Sequence, residues 1–166
     1  MNFGSGTLKG LVCIALAGTL AQAAAIGAYA AAPTNETISA EDAKAAQFLL
    51  QRAVALYKEI KDLALEHFGP HGEFVSDELY VYVVSTSGVL LASGGPSSPY
   101  IGGNIKDQQD AVGKLFIREM LDKGRTKGSG TVEYQWLNPA TNKTEHKIAF
   151  FQKVGDRIIA VGYYPR

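Results

Sequence analysis

Apolar residues recur at three- and four-residue steps through a long segment of the chain, a pattern typical of a helix with one buried face. Ser39 can cap this helix, and the acidic residues that follow it oppose the positive end of the helix dipole. Gly69 and Pro70 end it. The pattern predicts a helix over residues 39–68, with its apolar positions at Ala46, Leu49, Leu50, Ala53, Tyr57, Ile60, Ala64 and Phe68.

The segments that follow are short and rich in β-branched and aromatic residues, with turn residues between them. They predict five strands, at residues 79–85, 89–93, 131–137, 145–154 and 157–164. A glycine-rich loop at residues 94–113 precedes a short predicted helix at residues 113–123. This order predicts an α+β fold, in which a long N-terminal helix packs on a five-stranded antiparallel sheet.

The first 32 residues differ in composition from the rest of the chain. Lys9 is their only charged residue, residues 11–20 are apolar, and an alanine-rich tract follows. This order is typical of a secretory signal peptide, with cleavage expected after Ala30 or Ala32. An uncleaved membrane anchor is the alternative. The chain is thus predicted to comprise a signal peptide, a linker and one domain, at residues 1–32, 33–38 and 39–166.

Charge and cysteine content exclude several classes of function. The chain carries 16 basic and 16 acidic residues, and nucleic-acid binding needs a basic face, so we expect no nucleic-acid partner. Without Lys9 the exported protein has 15 basic and 16 acidic residues. Cys13, the only cysteine, lies in the leader, which leaves no thiol for catalysis or metal binding after cleavage. No recognised spacing of histidines and acids predicts a metal site, and we expect no cofactor.

Candidate ligand contacts lie on the predicted strands. Tyr134 and Trp136 alternate with polar residues and share one strand face, where a phenol hydroxyl and an indole N–H can donate hydrogen bonds. Core packing of the two rings is the alternative. Lys147 shares a strand face with Ala149 and Phe151, an unusual place for an ammonium group unless it meets a ligand or solvent. A solvated strand lysine is the alternative.

Further aromatic residues can complete this surface. Tyr80 and Tyr82 share one face of the first predicted strand, and Tyr164 ends the last. If they face the same side as the other two aromatic residues, five polar-tipped rings converge on one site. Phe116 and Met120 lie at helical spacing and can form a covering wall, with core packing as the alternative.

The order and spacing of short motifs across the chain also resemble a known family. The motifs are residues 78–83, Gly88, Leu91, Ala92, Gly103, Asn104, Asp107, Asp110, residues 113–116, Gly130, Val132, Tyr134, Trp136, Asn138, Pro139, Lys147 and residues 162–164. In these positions the chain resembles the single Cache domain of the second type.

The resemblance implies a PAS-like five-stranded antiparallel sheet with a long helix behind it. It also implies an extracytoplasmic sensor that binds small molecules, commonly short-chain carboxylates, between the sheet and a covering loop and helix. By the same resemblance, Lys147 corresponds to a counter-ion of the ligand. Family members usually lie between two membrane helices of a chemoreceptor or kinase, and this sequence shows no second span. We therefore expect a free-standing periplasmic version whose partner is a membrane-bound receptor or kinase.

Three hypotheses of function follow. The first is an exported, non-catalytic sensor that binds a small organic acid, with the carboxylate on Lys147 and Tyr134 and with Trp136, Tyr80 and Tyr82 as walls. The second is an interaction module whose pocket is filled by its own side chains. The third, a small periplasmic enzyme, has the least support because no paired carboxylates, triad or metal cluster has a recognised spacing.

Overall fold

The structure, a computed structural model, describes residues 35–166. The predicted signal peptide at residues 1–32 lies outside the described residues, together with Cys13 and the first two positions of the predicted linker. Within residues 35–166, no helix combines the length and the apolar character that crossing a bilayer requires.

The N-terminal helix begins earlier than predicted and is broken before its predicted end. Helix α1 covers Asn35–Ile60, so the predicted linker is helical from Asn35 onward. A 3₁₀ turn at Lys61–Leu63 and the short helix α2 at Ala64–His67 follow. The prediction of one unbroken helix over residues 39–68 is therefore wrong at both ends.

The break at Lys61 is held by contacts that the helical pattern does not reveal. Lys61 has a φ of 55°, which is an unfavourable backbone conformation for a residue with a side chain. The turn allows the Asp62 carboxylate to accept a hydrogen bond from Tyr57 Oη at 2.9 Å. The same carboxylate lies 3.3 Å from the guanidinium of Arg157 at the start of the last strand. These contacts tie the end of the helix to the sheet.

The predicted α+β fold is confirmed, with one short strand more than expected. The strands are β1 (Val75–Ser76), β2 (Leu79–Ser85), β3 (Leu90–Ser93), β4 (Ser129–Asn138), β5 (Lys143–Val154) and β6 (Arg157–Tyr163). All pairs are antiparallel in the order β1-β2-β6-β5-β4, and β3 also pairs with β2. The first and last long strands, β2 and β6, are thus neighbours at the centre of the sheet.

The two faces of the sheet pack against different partners because successive side chains on a strand point to opposite sides. Val81, Val83, Ile159 and Val161 are buried against α1. On the opposite face, Tyr80 and Tyr82 join a second apolar cluster that is covered by a helix and by the long loop. The candidate site lies on this second face.

The covering helix ends later than predicted. Helix α3 covers Phe116–Lys127, whereas the sequence predicts residues 113–123 with Gly124 as a stop signal. Gly124 is buried inside the helix. A Cβ there would lie 2.8 Å from Ile158 Cδ1, so this glycine allows the helix to pack closely against β6 and does not end the helix. Gly128, with a φ of 78°, forms the actual C-terminal cap.

Candidate functional site

The structure brings the predicted aromatic residues together on one face of the sheet. Tyr80 and Tyr82 come from β2, Tyr134 and Trp136 from β4, and Phe116 from α3. The rings of Phe116 and Tyr134 stack with their centroids 4.1 Å apart, and the Trp136 ring meets that of Tyr134 nearly edge-on at 5.9 Å. Period-two alternation therefore identified residues that converge in space.

These rings enclose a small cavity beneath the loop at residues 94–115, which we call the cover loop. Its walls are Tyr80, Tyr82, Leu90, Ser97, Ile105, Gln108, Phe116, Ile117, Tyr134 and Trp136. The cavity volume is about 10 Å³, which is room for roughly one water molecule. Met120 is buried in the same apolar cluster but does not line the cavity. A ligand of several heavy atoms can enter only if side chains move.

Sequence reasoning missed the polar residues that the cover loop contributes. Ser97 and Gln108 line the cavity, and neither stands out in a loop rich in polar residues. The Ser93 and Ser97 hydroxyls are hydrogen-bonded at 2.8 Å, and Gly95 N donates to Ser93 Oγ at 3.3 Å. These bonds define the path of the loop next to the aromatic wall.

Lys147 is fully buried and lies beside the cavity rather than in its wall. Its Nζ is 3.8 Å from the centroid of the Tyr80 ring and 4.8 Å from that of Tyr164. The ammonium donates one hydrogen bond, to Tyr164 Oη at 3.3 Å. Among residues 35–166, no carboxylate forms an ion pair with it. The alternative of a solvated strand lysine does not hold, because this side chain has no contact with solvent.

Burial changes the protonation of these groups in opposite directions. Burial lowers the pKa of Lys147 well below its ordinary value, and the charge of Glu78 only partly opposes this. Burial raises the pKa of the four neighbouring phenols, so they stay neutral and serve as hydrogen-bonding groups; they are Tyr80, Tyr82, Tyr134 and Tyr164.

Tyr80 separates the ammonium from the cavity. It is one of the cavity walls, and its ring also contacts the Lys147 ammonium. The ring lies directly against the backbone of Gly95, since a Cβ at that position would fall 2.3 to 2.5 Å from three ring atoms. Tyr80 is therefore in contact with the buried cation, the cavity and the cover loop.

Tyr164 has a hydrogen-bonding role that its position alone does not show. Its hydroxyl donates to Leu137 O at 2.7 Å, so it is available to Lys147 only as an acceptor.

The neighbouring acid, Glu78, is also buried, and it accepts hydrogen bonds from Asn138 Nδ2 at 3.0 Å and from the Arg166 guanidinium at 2.6 Å. The Glu78 carboxylate, whose charge acts on Lys147, is thus already hydrogen-bonded to other donors.

Asp110 fastens the cover loop to the sheet. Its Oδ1 accepts hydrogen bonds from Val112 N at 3.0 Å and Lys114 N at 2.8 Å, and its Oδ2 accepts one from Gln135 N of β4 at 2.8 Å. The carboxylate therefore closes a turn within the cover loop and links the loop to the edge strand. In residues 35–166, no cluster of three or more histidine, cysteine or acidic side chains is arranged to hold a metal.

The hydroxyls of Tyr82 and Tyr134 form a buried pair at 3.1 Å. Tyr82→Phe leaves the Tyr134 hydroxyl without this partner, and we expect a loss of about 1 kcal/mol in the free energy of unfolding measured with urea. The double variant, with phenylalanine at both positions, is expected to be no less stable than either single variant because no polar group is left unpaired. If the stability loss of the double variant equalled the sum of the losses of the two single variants, the two hydroxyls would not be coupled.

A family model described as Single Cache domain 2 matches residues 25–164. No curated protein matches the chain.

Among solved structures, a methyl-accepting chemotaxis protein from Vibrio parahaemolyticus has a TM-score of 0.65 and 17% sequence identity, covering 78% of this chain and 93% of that one. A Cache chemosensory domain that recognises carboxylic acids has a TM-score of 0.65 and 19% identity, covering 80% and 99%. The periplasmic sensor domain of a chemotaxis protein has a TM-score of 0.61 and 22% identity, covering 78% and 98%. At these identities the likeness concerns the fold.

Proposed function

This chain belongs to the Single Cache domain 2 family, and on that premise we propose that it is a sensor that binds a small organic acid outside the cytoplasm. The observation that carries the proposal is Lys147, a fully buried lysine whose amino group makes one hydrogen bond and has no ion-pair partner among residues 35–166. A buried charge in this state is costly unless an anion neutralises it. A ligand carboxylate is the simplest such anion.

The surroundings of Lys147 suit a short carboxylate. Binding sites for small molecules are mostly apolar with a few placed donors, and here aromatic walls surround one cation and several neutral hydroxyls. A carboxylate that meets an ammonium forms a charge-assisted hydrogen bond, which is stronger than a neutral one. The recognition of carboxylic acids by a structurally similar Cache domain supports the same ligand class.

Access to Lys147 requires Tyr80 to move. The ligand carboxylate would take the place of the Tyr80 ring on the ammonium, because the ring now covers it. Gly95 contacts the same ring, so its displacement pushes on the cover loop. Binding thereby changes the position of the cover loop, which a partner protein can contact. Tyr80, Tyr82, Tyr134, Trp136 and Phe116 form the walls of the site, with Lys147 and Tyr164 at its polar end and Met120 behind them.

The location and the partner are proposals of the same kind. The charged start, apolar run and small residues of the leader support export, and the similar periplasmic sensor domain supports a periplasmic location. The partner is a membrane-bound receptor or kinase that responds to the cover loop or to α1. The similarity to a methyl-accepting chemotaxis protein supports a partner of that class.

A thermal-shift screen of the purified full chain tests the proposal. The probes are acetate, propionate and pyruvate, with propionamide and propylamine as neutral and cationic controls. We expect a carboxylate to raise the melting temperature in a concentration-dependent way, since a ligand that binds only the folded state stabilises it. A shift with propylamine and none with a carboxylate would show that the site selects the opposite charge, and the proposal would be wrong.

A second candidate function is an interaction module without a small ligand, and the small cavity favours it. A volume of about 10 Å³ means that the protein's own aromatic side chains fill the site. In that case none of the five probes would shift the melting temperature at any concentration tested. The screen therefore separates the two functions.

A further inference from the structure

Gly162 occupies a position where a glycine is unexpected. It lies inside strand β6, where it is paired with Tyr80 of β2 on one side and Ala149 of β5 on the other. Glycine in a strand interior costs stability and usually marks a close approach of other atoms. Its φ is not positive, unlike that of five other glycines in residues 35–166. The backbone at this position therefore does not require glycine.

The space above Gly162 is occupied by the side chain of Lys147. A Cβ at position 162 would lie 2.3 Å from Lys147 Cε and 3.1 Å from its Cγ, and 3.2 Å from the carbonyl oxygen of Ile148. The first of these distances is far too short for a real contact. The aliphatic stem of the lysine therefore crosses the sheet over the position where a side chain is absent.

This crossing brings the ammonium to Tyr80. Lys147 lies on β5 and Tyr80 on β2, with β6 between them. Neighbouring strands are about 4.8 Å apart, so β5 and β2 are separated by roughly 10 Å. A lysine can span such a gap only along the sheet surface, across the strand in between. Any residue other than glycine at position 162 would block this path.

We propose that Gly162 determines which charge the site accepts, because it allows the Lys147 amino group to reach the position that the Tyr80 ring now covers and that the ligand carboxylate would take. The inference rests on the proposed function. Gly162 is a positioning residue, and it acts through Lys147 without a contact of its own to the ligand. With a side chain at this position, the site becomes an uncharged aromatic pocket that no longer distinguishes a carboxylate from its amide.

The test is the ratio of affinities for propionate and propionamide, measured by calorimetry for the full chain and for Gly162→Ala. We expect the ratio to fall at least about tenfold in the variant, because the interaction with the ammonium is lost while the aromatic walls remain. General damage to the fold would weaken the binding of both ligands alike and would leave the ratio unchanged. Gly124→Ala is the matched control, since its Cβ would contact Ile158 in the core, and it should keep the ratio of the parent protein.

Stability provides a second readout that is independent of the ligand. Gly162→Ala should lower the melting temperature when Lys147 is present and should have a much smaller effect in a Lys147→Ala background, where the clashing stem is gone. If the parent protein binds propionate and Gly162→Ala keeps the same ratio, the inference is wrong and the proposed function stands. If the parent protein binds no carboxylate, both are wrong.

Discussion

Lys147→Met is expected to make the ligand-free protein more stable and to abolish carboxylate binding. The parent lysine is fully buried, with one hydrogen bond to Tyr164 Oη and no ion pair among residues 35–166. Methionine has a similar length and carries no charge to desolvate. Replacing buried charges by apolar residues of similar volume is often neutral or stabilising by about 1 to 4 kcal/mol, and we expect a gain in this range.

The substitution also leaves no polar group without a partner. Tyr164 still donates its hydroxyl proton to Leu137 O, so the gain is not offset by an unpaired buried donor. Opposite changes in stability and binding are the signature of a residue kept for function. Urea denaturation and the thermal-shift screen measure the two effects. Lys143→Met, an exposed lysine on the same strand, is the control and should change neither.

The stability difference between Lys147→Met and the parent protein should depend on pH. Burial lowers the pKa of Lys147 in the folded protein, with Glu78 opposing the shift, and the phenols of Tyr80 and Tyr164 face it in neutral form. Between this lowered pKa and the ordinary lysine pKa, the unfolded parent chain binds more protons than the folded protein, so the parent gains stability as pH rises. The difference is therefore largest at low pH and shrinks toward alkaline pH. A difference that is constant with pH would show that Lys147 keeps an ordinary pKa when folded.

Asp110→Asn is the substitution for which we expect the largest loss of stability. The asparagine Oδ1 can keep the bonds from Val112 N and Lys114 N, but its amide nitrogen would face the Gln135 N–H, which needs an acceptor. The cover loop loses its link to β4, and we expect the free energy of unfolding to fall by about 2 to 3 kcal/mol. Asp107→Asn is the control in the same loop, because that acid is exposed and pairs only with Arg118 at the surface.

Acid should remove the difference between Asp110→Asn and the parent protein. Burial raises the pKa of Asp110, but the N–H groups of Gln135, Lys114 and Val112 outweigh this and hold the pKa below its ordinary value. The stabilisation is complete above the ordinary pKa of aspartate and is lost as pH falls through the lowered pKa. The two unfolding curves should converge in acid. Equal stability of both proteins at neutral pH would show that the Gln135 bond contributes nothing.

The strands and the faces of the sheet follow from local patterns. Alternation placed Tyr80 with Tyr82 and Tyr134 with Trp136, and the structure keeps both pairs on one face. The fold class also follows from local patterns, since runs of β-branched and aromatic residues separated by turn residues form antiparallel strands. Helix boundaries are less well determined. The long helix breaks at Lys61, next to Asp62, which pairs with a distant strand residue, Arg157.

The residues that surround Lys147 could not be predicted from the sequence of its strand. Period-two alternation gives the face of a residue, but it does not say which strands lie beside it. The lysine meets Tyr80 only because β6 separates β5 from β2 and presents Gly162 at the crossing. The cavity residues Ser97 and Gln108 come from an irregular loop, whose path depends on hydrogen bonds rather than on periodicity.

The amino-acid sequence alone therefore determined the elements and the two faces of the sheet, because these depend on residues that are close in the chain, while the order and spacing of short motifs along the chain carried the family resemblance. The tertiary structure decided which residues meet at the candidate site, because that depends on strand order and on close packing between distant residues. It put a buried ammonium behind the Tyr80 ring, placed the Gly95 backbone against the same ring, and left the space above Gly162 to the lysine. Each of these contacts joins residues from separate elements, and no local pattern encodes them.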